Sequence, residues 1–387
     1  MCRFNSRRSV PPGRIGVSPA PPDPGRAYRS RDDHRRDHPS RDAHRRDDPS
    51  RDHHRRDDPS RDRQGATRRP CRPLAVLALA LLASTGCGDR EPKFEPLSEA
   101  PYTRAAWSYG RSKGHKLITD HYVIYTTLAD EALLGATPQA IETAYAFYRR
   151  LVPTARPLEE RMRVYVFAQR GEWADFTRRY AGERASKLLQ VRNGGYMERG
   201  VTAIEYVATQ TTFPILTHEG FHQFLFHCAF PNVPAWLNEG LSVLCEGQRW
   251  GAVGLKEFDP WYNPIRRNAV IEARARGQLI PLRRLVRMNA GHVVGGQPRE
   301  INTYYGQLWA LMLFLQEAEQ AKYAESFRRL LGVLADENVN AYAEAGMLGS
   351  DARGFNAGEG LFRNFISDDF ERLEQEFESF LNDRIAR

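Results

Sequence analysis

The spacing of apolar residues changes character about halfway along the chain. Between residues 100 and 212, short runs of alternating apolar and polar residues, which are typical of strands, are interspersed with stretches of helical spacing. The pattern predicts a strand over Lys116–Leu128, a helix from Thr137-Pro138 to Leu151, a strand over Arg161–Ala168, a short helix over Gly171–Tyr180, and a hairpin over Gly194–Ala208 that turns at Glu198-Arg199-Gly200.

From Phe213 onward, apolar residues recur at helical spacing almost without interruption. We therefore expect an α+β fold, in which a small mixed-sheet lobe over residues 100–212 is followed by a mainly helical lobe over residues 213–387. The predicted helices are Phe213–Cys228, Pro234–Glu246, Asn263–Arg276, Thr303–Gln320, Lys322–Asp336 and Ser367–Ile385, with loops at 247–262, 288–300 and 347–365.

Residues 1–73 show neither pattern. Residues 31–60 are three tandem ten-residue repeats, RDDHRRDHPS, RDAHRRDDPS and RDHHRRDDPS, with almost no apolar side chain to bury. Such a segment cannot offset the entropy of ordering, so we predict that residues 1–73 are disordered or lie upstream of the true translation start. Their histidines either bind a metal weakly or are solvated, and solvation is the simpler interpretation.

This leader also carries most of the positive charge. The 387 residues include 56 Lys+Arg and 48 Asp+Glu; the stretch up to Gly86 holds 20 and 11 of these, which leaves 36 and 37 for Cys87–Arg387. A nucleic-acid footprint requires basic residues on a folded surface. We therefore expect no nucleic-acid partner.

One apolar run, Leu74–Ala83, precedes Ser84-Thr85-Gly86-Cys87. It is too short to span a bilayer but suits the hydrophobic region of a secretory signal. The small residues before Cys87 resemble a bacterial lipobox, although Ser84 stands where that motif usually has Leu. The resemblance implies a lipoprotein signal over 74–87, lipidation of Cys87, a tether over 88–99, and export to the cell envelope, anchored at its periplasmic face or outer surface. Ordinary cleavage and a buried helix are the alternatives.

Two cysteines fall in the foldable part of the chain. Cys228 and Cys245 lie at the ends of two helices that are expected to run antiparallel, which places the two thiols too far apart for a disulfide. We expect both to be free and buried.

The helix predicted from Phe213 contains His218-Glu219-Gly220-Phe221-His222, an HExxH pattern. Histidines at i and i+4 lie on one face of a helix, where they can share a metal ion, and Glu219 is then directed at water on that metal. The alternative is that these are ordinary helix residues, which leaves two apolar-flanked histidines without a ligand. Gly220 is unexpected, because a glycine inside a helix costs about 1 kcal/mol relative to alanine.

Glu239 follows seventeen residues after His222, in the segment Trp236-Leu237-Asn238-Glu239-Gly240-Leu241-Ser242. HEGFH followed by WLNEGLS resembles the gluzincin zinc metallopeptidases, most of all bacterial secreted or lipid-anchored members whose substrates are unassigned. The resemblance implies a zincin-like fold, with the metal site on two helices between the lobes. It implies that His218, His222 and Glu239 bind one Zn²⁺ per chain. It also implies that Glu219 is the general base of peptide-bond hydrolysis.

Other residues are candidates for supporting roles. Glu246 can accept the second N–H of a ligand histidine or be a surface carboxylate, and Asn238 can orient the site or cap a helix. The family usually adds a group that stabilises the oxyanion, and Tyr305 matches best the tyrosine that opens the corresponding helix; core packing of Tyr304 or Tyr305 is the alternative. His292 is the reserve candidate for this role.

Gly195-Tyr196-Met197-Glu198 is similar to the GxMEN segment of related aminopeptidases, although Arg199 replaces the final Asn. The resemblance implies that Glu198 holds a substrate's free amine; a plain hairpin turn is the alternative. If the hairpin is the edge strand of a cleft, it can pair with an extended peptide through its backbone.

These motifs lead to one functional expectation and one rival. We expect a lipid-anchored, exported zinc metallopeptidase that acts on a peptide or protein substrate. The rival is a catalytically inactive binding or scaffold lipoprotein that keeps the zincin fold.

Overall fold

The sheet and the helices follow one another along the chain as the sequence predicts. The structure, a computed structural model, describes residues 94–192, 194–229, 233–251, 254–288, 298–348 and 355–386. A six-stranded sheet and its covering helices lie before residue 206, and a mainly helical region follows, which confirms the α+β class. Within these ranges, no helix combines the length and the apolar character that a membrane crossing requires.

A six-stranded mixed sheet forms the N-terminal part. Its strands lie in the order β1-β2-β3-β4-β6-β5, where β1 is Thr103–Tyr109, β2 Ser112–Ile118, β3 Tyr122–Thr126, β4 Met162–Phe167, β5 Gly195–Glu198 and β6 Val201–Glu205. The pairs β3–β4 and β4–β6 are parallel, and the other neighbours are antiparallel. Strand β5 is therefore an edge strand.

Helices cover both faces of this sheet. They are α1 (Glu131–Leu151), α2 (Arg170–Tyr180) and α3 (Ala185–Leu188). Side chains of α1 share the main core with Ile124 and Val164 of the sheet, whereas Trp173 of α2 packs with Phe167 and Tyr196 in a second cluster. Because successive residues of a strand point to opposite faces, the two clusters lie on opposite sides of the sheet.

The C-terminal part is mainly helical, and it encloses one small hairpin. Helix α4, which carries the HExxH residues, packs against both α1 and β6. The elements are α4 (Thr209–Cys228), α5 (Ala235–Leu244), the strands β7 (Gln248–Gly251) and β8 (Gly254–Phe258), α6 (Pro264–Ala275), α7 (Leu282–Arg287), α8 (Pro298–Glu317), α9 (Ala324–Gly332), α10 (Val339–Met347), α11 (Ala357–Phe365), α12 (Phe370–Phe380), and a π turn at Leu381–Ile385.

The single strand predicted over Lys116–Leu128 is wrong. The chain turns at 119–121 and forms the β2–β3 hairpin instead. The Thr119 N–H donates to the Tyr122 carbonyl at 3.0 Å, and the Thr119 hydroxyl accepts from the Tyr122 N–H at 3.0 Å. This local side-chain bond competes with a continuous strand.

The predicted start of the first helix at Thr137-Pro138 is also wrong, because α1 begins two turns earlier. Asp130 is its N-cap, and its carboxylate accepts from the N–H groups of Ala132 and Leu133 at 2.8 and 3.2 Å. An aspartate at this position satisfies helix N–H groups that otherwise lack a partner. Pro138 is accommodated inside the helix.

The hairpin predicted over Gly194–Ala208 is confirmed as β5–β6. Strand β1, helix α7 and helix α10 have no counterpart among the predicted elements. Two predicted loops contain regular structure, since 247–262 holds the β7–β8 hairpin and 347–365 holds α11.

Candidate metal centre

Three side chains from α4 and α5 converge on one point. His218 and His222 lie one helical turn apart on α4, and Glu239 faces them from α5. The Glu239 Oε2 atom is 3.4 Å from His218 Nε2 and 3.5 Å from His222 Nε2. Ligand atoms placed tetrahedrally at 2.0–2.1 Å from a metal ion are roughly 3.3–3.4 Å apart. The group therefore has the spacing needed to hold a metal ion.

The Glu239 carboxylate supports the same conclusion. Its Oε2 atom is buried and has no hydrogen-bond partner in the part of the chain that the structure describes. Burial raises the pKa of Glu239, but the neighbouring His222 and His218 hold it well below its usual range, so the carboxylate is ionised. A buried ionised oxygen without a hydrogen bond is costly. A cation at this point satisfies it.

The Nδ1 atom of each histidine has a hydrogen-bond partner. His218 Nδ1 lies 2.9 Å from Glu246 Oε1, and His222 Nδ1 lies 2.8 Å from Asn238 Oδ1. Because both partners are acceptors, each Nδ1 donates to its partner, so Nε2 is the nitrogen of each ring that is left to bind a metal ion. Asn238 lies inside α5, after the N-cap Pro234, so the alternative that it caps the helix is wrong.

The Glu246 side chain is only 11% exposed, so the alternative of a surface carboxylate is wrong too. Arg266 binds it with two hydrogen bonds, from Nε to Oε2 at 3.0 Å and from Nη2 to Oε1 at 2.8 Å, and Asn263 Nδ2 donates to Oε2 at 2.8 Å. Burial raises the pKa of Glu246, but Arg266 and His218 lower it to about 2. In the metal-free protein, burial lowers the pKa of His218, but the neighbouring Glu239 and Glu246 carboxylates raise it to about 10.

Sequence reasoning missed three polar residues around the site. Asn263 and Arg266 hold Glu246, and the Ser242 hydroxyl lies 3.2 Å from His222 Nδ1. The predicted helix start at Asn263-Pro264 is confirmed, and Asn263 accepts from the Arg266 N–H as the N-cap of α6. The sequence spacing of Asn263 and Arg266 does not indicate a contact with Glu246, because the β7–β8 hairpin that brings them together falls in a predicted loop.

Glu219 lies beside the ligands and faces the edge of the sheet. Its Oε2 atom accepts from the backbone N–H of Met197 at 2.9 Å, which fixes the carboxylate against strand β5. Burial raises the pKa of Glu219 above its ordinary value, and the two histidines partly offset this increase. A higher pKa makes this carboxylate a stronger proton acceptor than an exposed glutamate.

The unexpected Gly220 is explained by a residue from α1. A Cβ atom at Gly220 would lie 2.7 Å from the hydroxyl oxygen of Tyr148. That hydroxyl donates to the carbonyl of Thr217 at 2.5 Å, and Tyr148 is 1% exposed. Glycine at this position therefore lets Tyr148 reach the backbone of the helix that carries His218 and His222.

The first turns of α8 bring two tyrosines to the site. The ring of Tyr305 lies 6.1 Å from that of His218, and burial raises the pKa of Tyr305 well above its usual range. Tyr304 is 0% exposed, and its hydroxyl has no hydrogen-bond partner in the described ranges. A Cβ atom at Gly306 would lie 2.9 Å from the Arg266 carbonyl, so this glycine allows α8 and α6 to approach closely.

The remaining candidates do not belong to this cluster or lie outside the described residues. The Glu198 carboxylate pairs with Arg184 Nη1 at 2.7 Å and lies 3.7 Å from Arg199 Nε, and it is not part of the group formed by His218, His222 and Glu239. His292 and Cys87 lie outside the described residues. The expectation of free, buried thiols is confirmed for the two cysteines at the ends of α4 and α5, Cys228 and Cys245.

Comparison with known proteins gives one match. A family model described as "Protein of unknown function (DUF1570)" matches residues 212–332, the stretch that contains His218, His222 and Glu239 and the tyrosines of α8. No curated protein matches the chain, and no solved structure does. The matched description assigns no activity, so the chemistry must be argued from the site.

Proposed function

We propose that this protein is a zinc-dependent hydrolase of peptide bonds. The observation that carries the proposal is the convergence of His218, His222 and Glu239 at ligand spacing, with the Glu219 carboxylate held beside them. Two imidazoles and one carboxylate are the donor set of many catalytic zinc sites, which leave one coordination position open. The sequence resemblance to gluzincins favours zinc over other metals.

When bound, zinc supplies a Lewis acid that polarises a carbonyl and lowers the pKa of water. The protein's own base is Glu219. Its carboxylate accepts a proton from the attacking water and delivers that proton to the leaving amine. The hydrogen bond from the Met197 N–H keeps this carboxylate oriented through both transfers.

Tyr305 is the candidate donor to the oxyanion that develops on the scissile carbonyl. Burial raises the pKa of its hydroxyl, so the tyrosine stays protonated at neutral pH and can donate. Its ring already stands edge-on to that of His218, which places the tyrosine beside a metal ligand. Replacing Tyr305 with Phe is expected to lower kcat more than zinc affinity.

An extended peptide is the substrate shape that the sheet favours. Tyr196 pairs with Ala203 of β6, and the Gly194 carbonyl accepts from the Glu205 N–H, so the backbone groups of Gly195 and Met197 face away from β6. One of these, the Met197 N–H, is taken by Glu219. The remaining outward groups of β5 are available to pair with a peptide strand beside the base.

Export and lipid anchoring through Cys87 form part of the proposal and rest on the sequence alone. The apolar run Leu74–Ala83 and the small residues before Cys87 support them. Cell fractionation tests the anchor: the mature protein is expected in the membrane fraction, and Cys87→Ser is expected to release it or to block its processing. A wild-type protein that fractionates as soluble would contradict the anchor and leave the hydrolase proposal standing.

The metal content of the full chain is the first test of the site. Elemental analysis is expected to find one more zinc per chain in the wild type than in Glu239→Ala. Comparing the two variants cancels any zinc held by the histidines of the leader, which both contain. Equal zinc content in two folded proteins would refute the metal centre.

Hydrolysis of a peptide library then tests the reaction. Wild type is expected to cleave, and Glu219→Gln is expected to keep its zinc but lose cleavage by about 10²–10⁴-fold, the contribution typical of a general base. Zinc in the wild type without cleavage of any peptide would contradict the hydrolase and favour the inactive binding protein.

A further inference from the structure

Arg266 occupies a position where a helix disfavours arginine. It lies in the first turn of α6, after the N-cap Asn263 and Pro264, where the helix dipole presents its positive end. Its side chain is only 18% exposed, so the cation is also largely removed from water. Both effects oppose a positive charge at this point. The contacts of the guanidinium must therefore compensate for them.

Arg266 forms two hydrogen bonds with Glu246, the carboxylate that accepts from His218. Nε and Nη2 of Arg266 donate to the two carboxylate oxygens of Glu246 at 3.0 and 2.8 Å, the fork-to-fork arrangement that only arginine can make. The same Glu246 Oε1 atom lies 2.9 Å from His218 Nδ1. Arg266 therefore fixes the carboxylate that in turn fixes the rotation of the His218 ring.

The guanidinium also lies over the ring of a second residue of the site. Arg266 Cζ lies 5.0 Å from the centroid of the Tyr305 ring, which is a cation–π distance. The Tyr305 ring in turn stands edge-on to His218, at 6.1 Å between centroids. One side chain thus contacts both the residue behind a metal ligand and the candidate oxyanion donor.

We propose that Arg266 is a positioning residue of the metal centre, which orients His218 through its two hydrogen bonds to Glu246 and orients Tyr305 by lying over its ring. This inference rests on the proposed zinc site. A positive charge is not sufficient for this role, because lysine has neither the planar pair of donors nor the flat guanidinium group of arginine.

Zinc affinity tests the first contact, measured on the full chain by competition with a chelator of known affinity. Arg266→Lys is expected to bind zinc about 10- to 100-fold more weakly, as is typical when a group behind a metal ligand is lost. Arg249→Lys is the matched control, since Arg249 also pairs with a glutamate, Glu257 at 2.9 Å, and stacks on a tyrosine, Tyr262 at 3.9 Å. This control is expected to bind zinc as the wild type does.

A double variant shows whether Arg266 acts through Glu246. Adding Arg266→Lys to Glu246→Gln is expected to weaken zinc binding no further than Glu246→Gln alone. If Arg266→Lys does not fold, the neutral pair Arg266→Met with Glu246→Gln replaces it, and the same loss is expected. Wild-type affinity in folded Arg266→Lys or in the neutral pair, or additive losses in the double variant, would overturn the proposal.

The second contact has its own readout. At saturating zinc, Arg266→Lys is expected to lower kcat in the wild-type background but not in Tyr305→Phe, where the positioned hydroxyl is already missing. An equal fall in both backgrounds would overturn the contact with Tyr305. A wild type that binds zinc without hydrolysing peptides refutes the proposed function, but the affinity measurements still test the role of Arg266. A wild type that binds no zinc refutes both the proposed function and the role of Arg266.

Discussion

Gly220→Ala tests why helix α4, which carries His218 and His222, has a glycine between them. In an ordinary helix interior this change gains about 1 kcal/mol of stability. Here the new Cβ atom would meet the Tyr148 hydroxyl oxygen at 2.7 Å. Tyr148 cannot easily move away, because it is 1% exposed and packs against Phe221 and Phe224 at ring-centroid distances of 5.3 and 5.6 Å. Overpacking of this kind costs roughly 1–3 kcal/mol, so we expect a net loss of about 1 kcal/mol.

Tyr148→Phe is expected to reverse the sign of this effect. Without the hydroxyl, the nearest atoms to the Cβ at position 220 are Cζ and Cε2 of the ring, at 3.6 and 3.7 Å, which are ordinary contacts. Tyr148→Phe by itself loses the hydrogen bond to Thr217, worth about 0.5–1.5 kcal/mol. In that background Gly220→Ala is expected to gain about 1 kcal/mol, which gives a coupling energy of roughly 2 kcal/mol.

Urea denaturation of the four metal-free proteins, followed by circular dichroism, measures these free energies of unfolding. Metal is removed because binding to the native state adds its own stabilisation. Gly135→Ala is the control, since Gly135 lies inside α1 and a Cβ atom there would meet nothing within 4 Å. It is expected to gain about 1 kcal/mol with either residue at 148. A coupling below about 0.5 kcal/mol between positions 148 and 220 would refute the steric explanation.

Three further outcomes follow from the site and its surroundings. The raised pKa of His218, about 10 against an ordinary 6.5, stabilises the metal-free fold fully below pH 6.5, and this stability is lost as the pH rises towards 10. The lowered pKa of Glu246, about 2 against 4.5, stabilises the metal-free fold above pH 4.5, and this stability is lost as the pH falls towards 2. Thermal unfolding midpoints measured across pH 2–10 test both effects. Midpoints that keep rising above pH 6.5 would contradict the effect of His218. Asn238→Ala is expected to weaken zinc binding about 10-fold in chelator competition, and an unchanged affinity would show that its contact is dispensable. Burial raises the pKa of Cys228 to about 11 and holds that of Cys245 well above its usual range, so peptide mapping is expected to find both unalkylated in native protein and labelled after denaturation.

The ligand cluster could be predicted because its spacing is local. Residues i and i+4 share a helix face whatever surrounds the helix, so His218 and His222 needed no knowledge of the fold. Glu239 required only that a second helix turn back on the first. The start of α1 is equally local, but Pro138 suggests a later start and draws attention away from the capping carboxylate of Asp130.

The supporting contacts could not be predicted, because they join segments that are distant in sequence. Tyr148 of α1 contacts the backbone of α4 beside Gly220, and no residue near Gly220 in the sequence predicts this contact. Arg266 reaches Glu246 only because the β7–β8 hairpin folds the chain back between them. Such contacts depend on how helices and strands pack together, and the spacing of apolar residues along the chain does not predict that packing.

The closeness of the three ligands along the chain has a consequence for the order of folding. His218, His222 and Glu239 come together once α4 and α5 form one antiparallel pair, so the loop to be closed is short and its entropic cost is small. Contacts of this kind form early, whereas Arg266 and Tyr305 belong to helices that lie further along the chain. During synthesis, the nascent protein can therefore assemble its ligand cluster before the helices that later brace it have emerged.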